Sequence, residues 1–177
     1  DLRRVAEALI EQWPERVSVA NSEQITAELS VLKLLQAYLR KSDWQITVGL
    51  RDGCHISVIM PGLKTQIFGV AIDIGSTTRS AQICDMNSGE VLAISGMMNP
   101  QIRFGEDLMS RVSYGLMNEG GADELTNAVQ TGLQQLIEEA AEQVDIALVD
   151  ICEVVLVGNP VMHHLALGID PIELGGA

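Results

Sequence analysis

Between Phe68 and Gly96 the chain reads FGVAIDI, then GSTT, then RSAQICD, then a turn at Asn87-Ser88-Gly89, then EVLAISG. Three short apolar runs joined this tightly can pair only as an antiparallel meander, because parallel neighbours need a crossover of a dozen or more residues. The chemistry is constrained as firmly as the fold. A Walker loop or a dinucleotide-binding loop passes directly into a helix, and neither glycine pattern is present. GSTT joins two strands instead.

A glycine and hydroxyl loop between strands can still hold phosphate. Successive backbone N–H groups in a tight turn form an anion nest. Gly75 lets the backbone come close, with no β-carbon in the way. The hydroxyls of Ser76, Thr77 and Thr78 can donate to phosphoryl oxygens. Asp73, at the carboxyl end of its strand, can hold a hydrated Mg²⁺, an ion that keeps several waters and takes one or two carboxylates. Asp, Gly, Ser and Thr are also ordinary turn formers, so a plain turn at Asp73–Thr78 stays open.

The segment before the meander has a different texture. LRRVAEALIEQW carries Leu2, Val5, Ala6, Leu9, Ile10 and Trp13 at helical spacing, with Pro14 as a stop signal. ITAELSVLKLLQAYL repeats Ile25, Leu29, Leu32, Leu35 and Leu39 as a second helix. The period then falls to two in WQITVGLRDGCHISVIM, around the hairpin signal Asp52-Gly53, and Pro61-Gly62 marks the exit. Residues 1–66 therefore read as a small α+β domain with no catalytic constellation, and His55 as a surface residue beside the hairpin turn.

After the meander, Asn99-Pro100 ends the third strand. GEDLMSRVSYGLM shows Leu108, Met109, Val112 and Leu116 at helical spacing, with Glu106 and Asp107 placed in the first turn. ADELTNAVQTGLQQLIEEAAEQV sets Leu125, Val129, Leu133, Leu136 and Ala140 on one side of a long amphipathic helix. ICEVVLVG is nearly all apolar, the pattern of an inner strand covered on both faces. Asn159 then suits a helix N-cap and Pro160 the first helical position.

Other side chains exclude more than they suggest. The net charge of −13 argues against nucleic acid, which needs clustered Lys and Arg. No apolar run reaches the roughly 20 residues of a membrane helix. Cys54, Cys84 and Cys152 stand far apart with no C-x-x-C pair, so their spacing specifies neither zinc nor an iron–sulfur cluster. Cys84 and Cys152 fall in strand-like runs as small buried hydrophobes, and a cytoplasmic setting is expected. His163 and His164 are adjacent and point about 100° apart on a helix, so they do not chelate as an i, i+4 pair does. Met97, Met98, Met109 and Met117 read as packing residues. Arg103, Asp107 and Arg111 read either as a surface ion-pair cluster or as a face toward a cleft or protein partner. The chain opens at Asp1 and closes at Leu174-Gly175-Gly176-Ala177, which reads as an internal piece of a longer protein.

The hairpin pattern of residues 68–95 resembles the first phosphate motif of the acetate and sugar kinase, heat-shock chaperone and actin superfamily. More narrowly, MNPQIRFGEDLMSRVSYGLMN (Met98 to Asn118) and VVLVGNPVMHHLALGIDP (Val154 to Pro171) are similar to the ATP-dependent reductive activators of corrinoid proteins, a ferredoxin-linked family of that superfamily. The likeness is close over residues 67–177 and looser over 1–66, which would match that family's linker and middle regions.

The resemblance implies an α/β fold in which residues 67–177 form the first half of an actin-like, ribonuclease H-like ATPase domain. It implies ATP and Mg²⁺ at Asp73 and Gly75 to Thr78, with Gly158 and Asn159 bordering the nucleotide cleft; pure helix capping by Asn159 is equally open. It implies a corrinoid protein or corrinoid methyltransferase as partner, returned from Co(II) to Co(I), and a possible homodimer. It also implies a 2Fe-2S cluster in a domain upstream of Asp1, because the three cysteines here lack ferredoxin spacing. Two other classes share the phosphate loop: a small-molecule kinase of the same superfamily, and a non-catalytic actin-like scaffold.

Overall fold

A computed structural model of the protein describes residues 1–175. The chain forms two compact units, Asp1–Thr65 and Gln66 onward, each with its own apolar core.

In the first unit, helix α1 (Leu2–Gln12) buries Val5, Ala6 and Leu9. A two-residue strand β1 (Thr26–Ala27) precedes helix α2 (Leu29–Lys41). Strands β2 (Ile46–Arg51) and β3 (His55–Pro61) form the hairpin, with β1 parallel to β3 on its other side. Asp52 and Gly53 both take positive φ, 54° and 68°, as the predicted turn requires. Helix α2 corrects the expected stripe. Ile25 is buried but lies before β1, and the inward residues are Val31, Leu35 and Leu39, while Leu29 and Leu32 are exposed. In a leucine-rich helix, several i, i+3/i+4 stripes compete, and packing selects one.

The second unit is a four-stranded sheet with helices on one face. Strands β4 (Phe68–Ile74), β5 (Thr78–Asp85) and β6 (Val91–Met98) form the antiparallel meander. Helices α3 (Leu108–Met117) and α4 (Gly121–Glu142) then cross over to β7 (Ile151–Gly158), which lies parallel to β4. The order is β6-β5-β4-β7, and α5 (Pro160–Leu167) follows. Val70, Ile72, Ile74, Ala81, Ile83 and Ala93 meet Leu125, Val129, Leu133, Leu136 and Ala140 of α4. A fully buried valine, leucine or isoleucine among them contributes about 1.5–3 kcal/mol, and these hold the strand ends beneath the loops.

Four expectations change here. β7 is not covered on both faces: among the described residues it is an edge strand, and Val154, Val155 and Val157 are exposed. Its composition shows that it suits burial; it does not show which segment supplies the cover. Glu106 and Asp107 precede α3, and Asp107 is its N-cap. Met98, Met109 and Met117 are exposed, leaving Met97 alone of that set against the core. Cys84 and Cys152 are only half-buried.

Candidate functional site

The loop Gly75-Ser76-Thr77 turns the chain from β4 into β5 at the end where β7 also finishes. A β-carbon on Gly75 would stand 2.3 Å from the Thr78 carbonyl oxygen, so only glycine fits. All three loop carbonyls are drawn inward. Asn99 Nδ2 donates to Gly75 O at 3.0 Å, and Asn99 N–H donates to Thr77 O at 2.7 Å. Arg111 Nη2 donates to Ser76 O. A peptide is planar and trans, so each C=O is antiparallel to the next N–H. Holding Gly75 O and Ser76 O inward therefore turns the Ser76 and Thr77 N–H groups outward, and neither has a partner among the described residues.

Behind the loop lies a polar network inside an otherwise apolar core. Arg111 is 0 % exposed; its Nε donates to Gly105 O at 3.0 Å and its Nη1 meets Gln101 Oε1 and Met162 Sδ. Gln101 Nε2 in turn donates to Leu125 O of α4 at 2.9 Å. Arg79, 2 % exposed, donates to Asn99 Oδ1 at 2.6 Å and Val129 O at 3.1 Å. Burial, and secondarily the Arg111 charge, lower the Arg79 guanidinium to about 10. Burial also lowers Arg111, with Asp107 opposing. Hence Arg111 is no part of a surface ion-pair cluster, while Arg103 is exposed with its guanidinium over the Phe104 ring.

Asp73 is exposed, level with Ser80 on β5 and Val157 on β7, so all three share the sheet face opposite α4. Thr77 and Thr78 are exposed and Ser76 half-buried. A cavity of about 510 Å³ brings Ser76 and Thr77 together with Glu106, Asp107, Leu108 and Met109. Asp73, Thr78, Gly158 and Asn159 do not line it. Asn159 caps α5, its Oδ1 accepting from Met162 N–H at 3.0 Å. A β-carbon on Gly158 would lie 3.1 Å from Ile74 O, so this glycine permits the close approach of β7 to β4.

Of the predicted set, the Gly75–Thr77 loop fits a phosphate group accompanied by a cation. The loop offers two unpartnered N–H donors and a glycine that nothing larger could replace, and exposed carboxylates stand nearby. A metal cluster on the cysteines does not fit: Cys54, Cys84 and Cys152 are separate free thiols, and no group of three His, Cys, Asp or Glu is placed to hold a metal among the described residues. No helix among them is long and apolar enough to cross a membrane.

Sequence reasoning missed the anchors Arg79, Asn99 and Gln101. Arg79 had a signal, because alternation along β5 places it on the same face as Ala81 and Ile83.

Residues 68–177 match the family described as RACo middle region, and residues 1–66 match the RACo linker region. The chain is 34% identical over 152 residues to the corrinoid activation enzyme RamQ of Eubacterium limosum, covering 85% of this chain and 26% of that one. A solved structure, a reductive activator for corrinoid, iron–sulfur protein, superposes with a TM-score of 0.76 at 35% identity, covering 97% of this chain and 27% of that one. The chain thus spans about a quarter of the length of these relatives. It belongs to the RACo family of reductive activators of corrinoid proteins, of which it carries the linker and middle regions.

Proposed function

We propose that this chain is the linker and leading ATPase segment of a protein that reactivates corrinoid proteins by ATP-dependent reduction, returning Co(II) to Co(I). The observation that carries the reading is the loop at Gly75–Thr77, whose carbonyls are tied inward and whose N–H groups are left outward for an anion. The sheet order supports an actin-like, ribonuclease H-like half-domain: a meander, helices, then a strand returning parallel to β4.

In this reading Gly75 to Thr78 cradle phosphoryl oxygens, and Asp73 orients a hydrated Mg²⁺. Bound ATP supplies hydrolytic free energy. The chain's own residues supply a fixed set of donors, so no reorganisation is needed when phosphate arrives. Glu106 and Asp107 beside the loop would repel a bare anion, which favours a phosphate accompanied by a cation. Reduction to Co(I) is uphill for an ordinary ferredoxin, and each 59 mV of gap costs about 1.4 kcal/mol in a one-electron step. A nucleotide-driven conformational change meets that need. The corrinoid protein or methyltransferase is the partner, and the electron source is a 2Fe-2S domain elsewhere in the protein.

The test is Mg·ATP affinity of the intact protein by calorimetry. Gly75→Ala is expected to abolish binding and Asp73→Ala to weaken it at least tenfold when Mg²⁺ is present, the loss of a charge-assisted contact. Unchanged affinity in both variants would return the loop to a plain turn.

A further inference from the structure

The network behind the loop holds more positive charge than anchoring a turn requires. Arg111 and Arg79 are both buried, and neither forms an ion pair with a carboxylate among the described residues. The buried Nε of Arg79 has no hydrogen-bond partner among them. A buried cation is costly unless opposite charge compensates it, and two close together are costlier. An apolar side chain at position 111 would leave Ser76 O, Gly105 O and Gln101 Oε1 without this donor, so Arg111 has a structural role in the network. Hydrogen bonding alone does not account for two guanidiniums here, since neutral amide donors would serve these oxygens without a buried charge. Their placement does, because Arg111 grips Ser76 O from the inner side, with Asn99 bridging from Arg79 to Gly75 O.

We propose that Arg111 is a positioning residue for a phosphate site: with Asn99 it fixes the peptide planes of residues 75–77, and together with Arg79 it supplies the counter-charge that a phosphoryl group on the outer side meets. This rests on the reading of the loop as a phosphate site, and goes beyond it by assigning the charge to residues that never touch the ligand. Through a core of low effective dielectric, a multiply charged anion is held more strongly than a singly charged one. The ligand class is therefore a polyphosphate with its cation. In return, an occupied loop offsets the cost of the two buried charges, so ligand and fold stabilise each other.

The experiment uses the intact protein, with Mg·ADP and magnesium pyrophosphate as probes, measuring affinity by calorimetry and hydrogen exchange at the Ser76 and Thr77 amides. Arg111→Met is expected to weaken both probes by about 10- to 100-fold, the range for a hydrogen bond to a charged group, and to reduce the exchange protection that saturating Mg·ADP gives the two outward amides. Arg111→Lys keeps the charge but not the fork that reaches Ser76 O and Gly105 O together, and is expected to recover only part of the affinity. Where Arg111→Met does not fold, Arg111→Lys carries the comparison. Gly75→Ala separates the two claims. If wild type binds neither probe, or Gly75→Ala binds like wild type, the phosphate reading itself falls. If Gly75→Ala loses binding while the folded Arg111 variants bind like wild type and differ only in melting temperature, the positioning role alone is overturned.

Discussion

Gly75 and Arg111 define one loop from opposite sides, and they differ in how plainly the sequence announces them. Gly75 is legible because turn chemistry is local: a glycine between a strand aspartate and hydroxyl residues has few uses. Arg111 is only partly legible: the sequence marks it beside Arg103 and Asp107 at a helix start, but its partner Ser76 lies 35 residues away. The helical spacing rightly marks Leu108 and Val112 as inward, whereas Met109 and Leu116 are exposed and Arg111, outside the apolar pattern, is buried. Asp107 illustrates a smaller effect at the same scale. The Ser110 amide, at 2.7 Å from Oδ1, is the first cause holding the Asp107 carboxyl below its ordinary value, with the Ser110 hydroxyl, the Met109 amide and the Arg111 charge adding and burial opposing. A depressed folded value stabilises the protein above the unfolded value of about 3.9, and that contribution is lost as pH falls through the folded value. Asp107→Asn retains a capping acceptor without the charge. Its thermal unfolding is therefore expected to show a shallower loss of stability on acidification than wild type, and superimposable acid limbs would contradict the assignment.

At the scale of elements, α4 was the most readable. All five residues of its predicted stripe, Leu125, Val129, Leu133, Leu136 and Ala140, are in the core, because 22 residues sample the helical period six times over. The short and edge elements were less readable. β1 has two residues and takes its identity from the partner His55-Ile56, which lies far along the chain. β7 carries a pattern suited to double cover but has exposed valines among the described residues. Gly132 on α4 makes a prediction peculiar to its element. A β-carbon there would stand 2.6 Å from Arg79 Nη1 and 3.1 Å from Pro100 Cγ. Alanine gains about 1 kcal/mol over glycine inside a helix, whereas crowding a packed core costs about 1–3 kcal/mol. Arg79 cannot swing aside without releasing Val129 O and Asn99 Oδ1. Gly132→Ala is accordingly expected to lower stability by roughly 1 kcal/mol in chemical denaturation, against the helix propensity. A stabilised variant would show that the guanidinium is not held in place.

For the whole molecule, the period change near Gln45 and the meander from Phe68 made α/β character legible, and family membership followed from Met98–Asn118 and Val154–Pro171. What the sequence left hidden is the network that joins β5, α3, α4 and α5 behind one loop, because it is assembled from single residues on separate elements. Our central claim is that this loop serves nucleotide-dependent corrinoid reduction in the longer protein. The most direct test measures ATP hydrolysis by the intact protein with and without a Co(II) corrinoid protein, following Co(I) by its absorbance in the same cuvette, for wild type and Asp73→Ala. The account predicts hydrolysis stimulated by the corrinoid partner, with Co(I) appearing when reductant is supplied, and both signals lost on substitution. Hydrolysis indifferent to the partner and to Asp73 would contradict it.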